Sequence, residues 1–537
     1  MCGIFAILNN SKINEDINTS FEKGKGRGPE FSKLDIYKNN VILGFHRLAI
    51  NGLNTESNQP IYVDDIIVIC NGEIYNHKEL FTMLNIEPST QSDCEVIAHC
   101  YKKFGVEYTL ELLDGVFAFV LYDTTNCELY VARDKYGVRP LFHSVSNDVS
   151  KEILFASELK MISDLTTETI EQFHPGCYSK LVFVNESSWV SSYKNKPYNI
   201  GVISQSKICY YNQIREKLMN AVKKRIETTE RPIACLLSGG LDSSLITSIV
   251  VNFMDTKGKM VETYSIGLEG SEDLKYAKIV ANFLNTDHHE IIVSEQDFLN
   301  AIPEVIKTIE SYDTTTVRAS VGNYLVAKYI KENSDAKVIF NGDGSDEVTG
   351  GYMYFHKAPC SISFDKECKR LLHDIHYFDG LRSDRCISCH GLEARTPFLD
   401  REFVSNFLSL PYDRKNHNIK NKCEKYLLRE SFVGYLPNAV LYRTKEAFSD
   451  GVSNHTRSWY EIIQEHIDTL DINMDIEYNH NPPKTKEQYY YRSLFESYYP
   501  GRSNVIPYFW MPRFVKGATD SSARTLDIYK KQMKFKK

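Results

Sequence analysis

The sequence predicts two fold classes in one chain: an α+β N-terminal part of stacked antiparallel sheets, and an α/β remainder with a parallel sheet and added helices. Short Ile-, Val- and Phe-rich runs separated by Asn-Gly and Asp-Gly turns predict the first part. From residue 232, strands alternate with helices at a spacing of roughly 30 residues, which predicts the second part. The 537 residues, 42% hydrophobic and 25% charged, are ordinary globular composition with material for sizeable cores.

A change of composition marks where the two parts meet. Residues 189–206 are polar, rich in Ser, Asn and Lys, and without periodicity, which is typical of a linker. We therefore predict an N-terminal domain over 1–188 and a C-terminal domain over 207–537. The Tyr-, Pro- and Lys-rich stretch from about residue 468 to the end is predicted to be a partly mobile tail. The second domain opens with an amphipathic helix whose apolar face is Ile214, Leu218, Ala221, Val222 and Ile226.

Charge and hydropathy argue against two classes of partner. The formal net charge of −7 argues against an electrostatically bound nucleic acid. No apolar run reaches the length of about 18 residues that a membrane span needs. The N-terminus turns polar within a few residues, so no signal peptide is predicted. We expect a cytoplasmic protein that binds neither nucleic acid nor membrane.

The cysteines and histidines suggest a cofactor only weakly. The 13 cysteines are scattered, which favours reduced thiols over a disulfide framework. Cys386-Ile-Ser-Cys389-His390 matches the c-type haem motif, but haem attachment needs an export route that the sequence does not show. A zinc site that includes Cys360 or Cys368 is a second alternative, and plain thiols are the preferred interpretation. His288 and His289 are neighbours on a predicted strand and point to opposite faces, so we expect structural roles.

The segment Ser238-Gly-Gly-Leu-Asp-Ser-Ser244 follows a predicted strand and opens a predicted helix. Its glycines admit close approach of an anion, and the helix N-terminus favours negative charge. Asp242 would repel phosphate unless a divalent cation lay between them, so Asp242 predicts Mg²⁺. No lysine follows in the Walker pattern, and the loop instead resembles the pyrophosphate loop of N-type ATP pyrophosphatases.

A second acidic loop, Asn341-Gly-Asp-Gly-Ser-Asp-Glu347, also follows a predicted strand. Its clustered acids would repel one another without a cation, which indicates a metal-binding or catalytic role. Asp346 is the candidate second Mg²⁺ ligand. Lys445 could neutralise charge on a phosphate or on an intermediate, although by itself it would be interpreted as a surface lysine.

Cys2 raises the possibility of an N-terminal nucleophile. Removal of Met1 would place a free amine, with a reference pKa near 8, beside the Cys2 thiol, and that amine could act as the base. Asn71 and Gly72 end an apolar strand and offer a side-chain amide and a backbone N–H to an oxyanion. Arg47, Asp93 and Glu73 are candidates for binding an α-carboxylate and an α-ammonium group.

The motifs together resemble a known family. The N-terminal part resembles the class II glutamine amidotransferase domain in MCGI, HRLAI at 46–50, NGEIYNH at 71–77, SDCEVI at 92–97 and ARDKYGVRPLF at 132–142. The C-terminal part resembles the synthetase domain of glutamine-hydrolysing asparagine synthetases in SGGLDSS, GDGSDEVTGGY, GLEARTPFLD at 391–400, YRTKEAFSDGV at 442–452 and SSARTLDIYK at 521–530.

The resemblance implies an N-terminal-nucleophile (Ntn) hydrolase αββα sandwich and an ATP pyrophosphatase domain. It implies that glutamine is hydrolysed through a thioester on Cys2 and that ammonia passes internally to the second domain. There ATP and aspartate would form β-aspartyl-AMP and pyrophosphate, and ammonia would displace AMP to give asparagine. The resemblance also implies Mg²⁺, a homodimer and a cytoplasmic location.

The resemblance also assigns individual residues. The implied catalytic residues are Cys2, Asn71, Gly72, Asp343 and Lys445. The implied glutamine-binding residues are Arg47, Leu48, Ala49, Ile50, Asn51, Asn71, Gly72, Glu73 and Asp93. The implied ATP-binding residues are Leu236, Ser238, Gly239, Gly240, Asp242, Ser243, Ile266, Asn341 and Gly342. Thr315 and Arg318 are implied to contact aspartate or pyrophosphate, and Asp242 and Asp346 to hold the metal.

Two positions depart from the sequence SGEGSDE that is common in the family's second loop. Asn341 stands in place of Ser, and Asp343 in place of a Glu associated with adenylate formation or ammonia deprotonation. A displacement of about 1 Å can cost on the order of a hundredfold in rate. Aspartate also occurs at this position in the wider family, and we expect activity to be retained. Position 384 carries little information, and whether Met1 is removed stays open.

Two alternatives to asparagine synthesis differ in what they predict. Amide-forming relatives such as β-lactam synthetases tend to lose the N-terminal cysteine, whereas this chain keeps Cys2, Asn71 and Gly72 together. A catalytically silent scaffold would have lost its charged site residues, and four remain: Asp242, Arg318, Asp346 and Lys445.

Overall fold

A computed structural model describes residues 1–144, 152–184, 188–199, 209–454 and 457–515, with 517, 518, 520–522, 524 and 526. The strands of the N-terminal part are β1 Gly3–Leu8, β2 Phe31–Tyr37, β3 Val41–Arg47, β4 Ile61–Val63, β5 Ile66–Ile74, β6 Gly115–Asp123, β7 Glu128–Arg133, β8 Phe142–Ser144, β9 Ile153–Ala156, β10 Glu171–Gln172, β11 Cys177–Val184 and β12 Ser188–Pro197. Its helices are α1 Glu15–Glu22, α2 His77–Leu84 and α3 Val96–Leu112.

The C-terminal part contains five further strands and fifteen α-helices within the described residues. Its strands are β13 Ile233–Leu236, β14 Glu262–Leu268, β15 Asp287–Val293, β16 Val338–Phe340 and β17 Glu393–Arg395. Its helices are α4 Tyr210–Glu227, α5 Leu241–Asp255, α6 Glu272–Leu284, α7 Glu295–Ile309, α8 Thr314–Asn333, α9 Ser345–Thr349, α10 Ser361–Asp374, α11 Asp379–Ser388, α12 Arg401–Ser409, α13 Tyr412–Lys415, α14 Tyr426–Ser431, α15 Asn438–Leu441, α16 Phe448–Gly451, α17 Trp459–Asp468 and α18 Lys486–Tyr498.

The N-terminal part is a sandwich of two antiparallel sheets, as the sequence predicts. The first sheet has the order β10-β8-β9-β1-β3-β2 and the second the order β12-β11-β7-β6-β5-β4. In β1, Ile4 and Ala6 point into the core between the sheets, whereas Phe5 and Ile7 point to the opposite face. Both faces of β1 are buried, which explains why its sequence is continuously apolar instead of alternating between apolar and polar residues.

Helices cover both outer faces of the sandwich, which gives the predicted αββα layers. Apolar residues of α2 and α3 form one core with the second sheet. The outer face of the first sheet packs against α1 and against α7, α17 and α18 of the C-terminal part. The helical layer over the first sheet is therefore completed by the other half of the chain.

The predicted mobile tail is wrong for the segment that includes α18. Tyr491 and Phe495 are fully buried in the core that α18 shares with α7. These two side chains lie four residues apart on one helical face, so the Tyr-rich composition is an apolar helical stripe. Residues 527–537 lie outside the described part of the chain.

The first part of the predicted linker is also a strand. β12 pairs antiparallel with β11 at the edge of the second sheet. Trp189 is buried between the sheets, and its indole Nε1 donates to the carbonyl of Asn39 at 2.7 Å. An edge strand leaves many side chains exposed, which explains the polar composition that suggested a linker. Residues 200–206 of that linker lie outside the described residues.

The C-terminal part is built on the predicted parallel sheet, with strand order β15-β14-β13-β16-β17. Its second strand in sequence, β14, and its fourth, β16, both pair with β13. The loops after β13 and β16 therefore emerge side by side at the carboxyl edge, where ligands bind in such sheets. The predicted opening helix is α4, and all five residues of its predicted apolar face are buried.

Candidate active sites

Cys2 lies directly before β1 and packs against the core between the two antiparallel sheets. Its backbone N–H donates to Oδ1 of Asn71 at 3.1 Å, and its thiol donates to the carbonyl of Leu48 at 3.7 Å. The Nε of Arg27 donates to the Cys2 carbonyl at 2.8 Å. Burial raises the pKa of the Cys2 thiol to about 11, so the thiol needs a base to react near neutral pH.

Met1 is enclosed between the two parts of the chain. Its amino group lies 3.5 Å from the carboxylate of Glu393, which belongs to β17 of the parallel sheet. Its thioether Sδ is 2.9 Å from a guanidinium nitrogen of Arg139. While Met1 is attached, the nitrogen of Cys2 is an amide and has no basicity. The predicted amine base therefore exists only in a chain from which Met1 has been removed.

Asn71 and Gly72 lie next to Cys2 on β5. The Asn71 amide is fully buried, and its Nδ2 has no hydrogen-bond acceptor among the described residues. A buried amide donor without a partner is uncommon, and here it belongs to the side chain whose Oδ1 accepts from the Cys2 backbone N–H. A Cβ at Gly72 would lie 2.4 Å from the carbonyl oxygen of Val116, so the close approach of β6 requires glycine.

Two buried carboxylates, Glu73 and Asp93, lie on one side of this site. Nδ2 of Asn51 donates to Glu73 at 2.7 Å and lies 3.5 Å from Oδ1 of Asp93. The backbone N–H of Ile74 donates to the other oxygen of Asp93 at 2.6 Å. Burial, followed by the charge of Asp93, raises the pKa of Glu73 well above its usual range, and burial raises that of Asp93. A cation bound here would favour the ionised carboxylates.

Arg47 ends β3 and is buried without a carboxylate partner among the described residues. Its guanidinium donates to the carbonyls of Asn54 at 2.9 Å and Asn51 at 3.3 Å, and to that of Gly52. It also donates to Oδ1 of Asn58 at 2.6 Å. These carbonyl and amide oxygens are neutral, so they do not compensate the positive charge of Arg47. The guanidinium can therefore attract an anionic group.

The loop after β3 contains the remaining predicted glutamine-binding residues. Leu48 and Ile50 are buried in the core that includes α4 and α5. The backbone of Ala49 is occupied on both sides: its N–H donates to Glu30 at 2.7 Å, and its carbonyl accepts from Nε of Arg231 at 2.7 Å. The loop therefore contacts Cys2 through the Leu48 carbonyl, and it contacts the two buried carboxylates through the Asn51 amide.

The predicted phosphate loop lies between β13 and α5. Gly239 has a φ of +69°, and a Cβ there would lie 2.3 Å from the nitrogen of Ala277, so both conformation and packing require glycine. Ser243 Oγ lies 2.9 Å from Ser238 Oγ and accepts from the Ser238 N–H at 3.2 Å. Gly240 precedes α5 without a side-chain cap, so the first N–H groups of the helix are left for a ligand.

An alternating set of two acids and two lysines lies where the phosphate loop meets the second acidic loop. Lys425 Nζ is 2.6 Å from both Asp242 and Asp346, and Lys445 Nζ is 2.7 Å from Asp346 and 3.7 Å from Asp242. Ser345 Oγ donates to Asp242 at 2.8 Å. Burial acts to raise the pKa of Asp346, but the two ammonium groups outweigh it and hold that pKa at about 2.

The second acidic loop is held by α11. Nδ2 of Asn341 donates to Ser383 at 2.8 Å. Asp343 Oδ1 accepts from Arg382 at 2.8 Å, and the same guanidinium donates through Nε to Asp379 at 3.2 Å. The shorter side chain at position 343 therefore has a defined cationic partner.

The cleft at the carboxyl edge of the parallel sheet brings together most of the predicted synthetase residues. Its walls include Leu236 at the end of β13 and Ile266 in β14. Gly342 approaches the phosphate loop closely, because a Cβ there would lie 2.6 Å from the Ser243 nitrogen. Thr315, at the start of α8, also lines the cleft.

Arg318 is one predicted site residue that the structure does not bring into the cleft. Its guanidinium is buried and donates to Glu487 at 2.8 and 2.6 Å and to Asp520 at 2.9 and 2.8 Å. Two carboxylates in bidentate geometry occupy its donors, so in this arrangement the guanidinium does not face the cleft, and the contact with aspartate or pyrophosphate stays a prediction. Arg318 instead connects α8 to α18 and to the C-terminal segment.

Side chains of the remaining Cys and His motifs make contacts within the fold. Cys386 is buried in α11, and its thiol donates to the carbonyl of Ser320 at 3.6 Å. His390 packs against Tyr324 with ring centroids 4.7 Å apart, and His289 stacks on Tyr264 at 4.8 Å. Across the described ranges, no group of three His, Cys, Asp or Glu side chains is arranged to hold a metal.

Comparisons with known proteins cover nearly the whole chain. A glutamine amidotransferase domain matches residues 1–188, and asparagine synthase matches residues 213–366 and 359–511. The asparagine synthetase (glutamine-hydrolyzing) of Gallus gallus is 43% identical, over 99% of this chain and 99% of its own length. Those of Mus musculus and Homo sapiens are 42% and 41% identical, over 99% of this chain and 100% of their own lengths.

The chain belongs to the glutamine-hydrolysing asparagine synthetase family. Membership in this asparagine synthetase family accounts for two unlike sites in one chain. The amidotransferase match spans the antiparallel sandwich that holds Cys2, and the synthase match spans the parallel sheet and its cleft. None of the helices in the described part is long and apolar enough to cross a membrane.

Two cleft residues of this asparagine synthetase family member were not identified from the sequence. Lys425 lies in NKCEKYLLRE, which carries no motif, and the sequence does not reveal its positive φ. Arg382 lies on α11 and reaches the acidic loop from a position 39 residues further along the chain. Both are charged side chains in helical surroundings, where a solvated role is the usual expectation.

Proposed function

We propose that this chain synthesises asparagine from aspartate, using ATP and ammonia that it releases from glutamine. The observation that carries the proposal is the open amide donor of Asn71 beside Cys2, in the same chain as a cleft of paired acids and lysines. The first arrangement suits acyl transfer, and the second suits activation of a carboxylate with ATP.

In the proposed glutaminase reaction, the Cys2 thiolate attacks the side-chain amide of glutamine after Met1 is removed. The freed amine accepts the thiol proton, and the Asn71 Nδ2 and the Gly72 N–H stabilise the oxyanion. Ammonia leaves, and water hydrolyses the thioester to glutamate. Burial of the thiol makes this base necessary, because an isolated Cys2 stays protonated at neutral pH.

The substrate's charged groups have matching partners. Arg47, whose charge is met only by neutral dipoles among the described residues, binds the α-carboxylate of glutamine. Glu73, Asp93 and the Asn51 amide surround the α-ammonium group. The Leu48–Ile50 loop forms the wall beside Cys2.

In the proposed synthetase reaction, the phosphate loop and the start of α5 bind the phosphates of ATP. Leu236, Ile266, Asn341 and Gly342 line the nucleotide site. Carboxylate oxygens are hard ligands that suit a divalent cation, so Asp242 and Asp346 would hold Mg²⁺, which neutralises phosphate charge when bound. Lys445, the more exposed lysine of the pair, contacts the reacting phosphate. Thr315 faces aspartate.

Asp343 is proposed to act at the adenylation step, with its carboxylate oriented by Arg382. We propose that ammonia passes from the Cys2 site to the cleft inside the protein and displaces AMP from the acyl adenylate. The division into 1–188, a linker over 189–206 and 207–537 is part of this proposal, with β12 belonging to the second sheet of the N-terminal part. So are the homodimer and the cytoplasmic location.

Product analysis tests the proposal. Purified protein is incubated with glutamine, aspartate, ATP and Mg²⁺, and the products are separated by chromatography. We expect asparagine, glutamate, AMP and pyrophosphate in matched amounts. Glutamate without asparagine, or ADP in place of AMP, would contradict the proposed reaction.

A further inference from the structure

Lys425 is a buried lysine at the bottom of the synthetase cleft. Its side chain is 1% exposed, whereas that of Lys445 is 19% exposed. Lys425 directly precedes α14 in the left-handed conformation, with φ +59° and ψ +23°. A non-glycine residue in that region stores strain, which persists only where the surroundings hold it in place.

The ammonium group of Lys425 lies between the two acids that come from different loops. Its Nζ is 2.6 Å from Asp242 Oδ2 and 2.6 Å from Asp346 Oδ1, and 3.5 Å from Ser345 Oγ. Asp242 lies in the first turn of α5, after the phosphate loop, and Asp346 lies in the first turn of α9, after β16. Without a cation between them these like charges would repel, so Lys425 fixes their separation.

The protein leaves space for this one side chain. A Cβ at Gly351 would lie 1.9 Å from Cε of Lys425 and 2.3 Å from Oδ1 of Asp346. The backbone of Gly351 is itself tied to the acidic loop, because its N–H donates to the Asp346 carbonyl at 2.9 Å. The lysine side chain therefore passes over a glycine, and a Cβ at that position would clash with it.

The neighbouring residue connects the same point to the loop that carries Lys445. Glu424 Oε1 accepts the backbone N–H of Lys445 at 3.0 Å and the guanidinium of Arg429 at 2.6 Å. Residues 424 and 425 together therefore hold three segments: the phosphate loop, the acidic loop and the Lys445 loop.

We propose that Lys425 is a positioning residue that holds Asp242 and Asp346 together as a preformed pair for the magnesium complex of ATP. Lys425 remains in place during the reaction, and the more exposed Lys445 is the lysine that turns to the substrate. This inference rests on the proposed function, because it concerns the same cleft. Lys425, which belongs to no recognised motif, would thus set the distance between the two carboxylates before the nucleotide binds.

The first test measures the apparent melting temperature of nucleotide-free protein in EDTA and in 10 mM Mg²⁺. In the wild type the acids are already neutralised, so we expect no difference between the two conditions. In Lys425→Met the acids need another cation, so we expect a melting temperature lowered by about 2–4 °C in EDTA and largely restored by Mg²⁺. A loss that Mg²⁺ does not restore, or no loss at all, would overturn the proposal.

Two further variants separate positioning from general damage. Gly351→Ala keeps the lysine in the chain but fills the space of its Cε, and we expect the same Mg²⁺-dependent recovery. If Lys425→Met does not fold, Gly351→Ala carries the test. Lys415→Met is the matched control: Lys415 is equally buried and pairs with Asp365 away from the cleft. We expect that its loss of stability is not restored by Mg²⁺, and recovery in this control would overturn the interpretation.

Kinetics give an independent readout. For Lys425→Met with ammonia as nitrogen source, we expect the Mg²⁺ concentration for half-maximal AMP formation to rise at least tenfold, with partial recovery of kcat at high Mg²⁺. A purely structural role would lower kcat at every Mg²⁺ concentration and would contradict the proposal. Glutamine hydrolysis at Cys2 should stay within about twofold of wild type. If the wild type forms no AMP, the proposed function fails, whereas the melting experiment still tests Lys425.

Discussion

The two candidate sites hold their functional groups in different ways. Around Cys2, most of the functional groups lie on strands or next to a strand end, and the decisive contact is one hydrogen bond from the Cys2 N–H to Asn71. In the cleft of the parallel sheet, the groups come from loops that are far apart in sequence. Those loops are joined by ion pairs, such as the contacts of Lys425 with Asp242 and Asp346.

This difference predicts different responses to mutation. Strand pairing fixes the backbone of β5, so removing one side chain near Cys2 should remove one chemical function and move little else. Charges that hold loops together depend on one another, so a change at one of them should shift the others. The first site should therefore show sharp, separable losses, and the second should show graded losses that metal concentration can modify.

The largest expected effect comes from Cys2→Ala. Glutamine-dependent asparagine formation should fall by a factor on the order of 10³ or more, because the nucleophile is absent. Ammonia-dependent formation should stay near wild type, since the cleft is built from other residues. Cys360→Ala, at an exposed thiol, is the control and should leave both reactions unchanged. Loss of the ammonia-dependent reaction in Cys2→Ala would contradict the separation of the two sites.

Asn71→Ala should have the next largest effect. Loss of one oxyanion donor typically lowers kcat by about 10²–10³, and we expect a fall of about 10² in glutaminase kcat with a smaller change in KM. Asn406→Ala removes another buried amide, on α12 of the C-terminal part, and should leave glutaminase kcat unchanged. Equal loss in the two variants would show that Asn71 acts only through stability.

The protonation of Cys2 can be measured directly in chains that retain Met1. Burial raises its thiol pKa from 9.0 to about 11. At pH 8 the thiolate fraction is therefore lowered by about a hundredfold, and alkylation by iodoacetamide should be slower by about that factor. The rate should increase about tenfold per pH unit between pH 8 and pH 10.

Peptide mass spectrometry can follow this alkylation, with the exposed Cys360 as an internal reference in the same sample. Removal of Met1 should raise the Cys2 rate near neutral pH, because the freed amine can accept the thiol proton. A pH-independent Cys2 rate in the Met1-retaining chain would contradict the raised pKa.

Asp343→Glu should have the smallest effect of these changes. The added methylene moves the carboxylate away from the position that Arg382 holds at 2.8 Å, so we expect AMP formation to fall by about tenfold. Glutamine hydrolysis in the absence of aspartate should not change. A faster variant would show that the loop is not fitted to the shorter side chain.

Periodicity and local motifs predicted much of the framework. The β/α rhythm after residue 232, the phosphate loop between β13 and α5, and the stacked antiparallel sheets are all encoded in short segments. Cys2, Asn71, Glu73 and Asp93 also come together as predicted. Each of these features depends on local sequence or on motifs with a fixed order.

The features that the sequence did not predict have a common physical cause, which is that their partners are distant in sequence. Arg318 could not be assigned to Glu487 and Asp520, because they lie 169 and 202 residues away. Asp384 carries little information as a sequence position, yet it binds the Arg27 guanidinium at 2.7 Å across 357 residues. β12 and α18 were misjudged from composition, since burial by other elements decides whether polar or Tyr-rich segments are ordered.

The central claim is that the two sites act as one enzyme, and nitrogen tracing tests it most directly. Wild-type protein receives glutamine labelled with ¹⁵N at the amide, together with aspartate, ATP, Mg²⁺ and an excess of unlabelled ammonium. Mass spectrometry then measures the isotope in the asparagine formed. We predict asparagine that carries mainly ¹⁵N, because ammonia from Cys2 reaches the cleft inside the protein. Asparagine carrying ¹⁴N in proportion to the ammonium in solution would contradict the account.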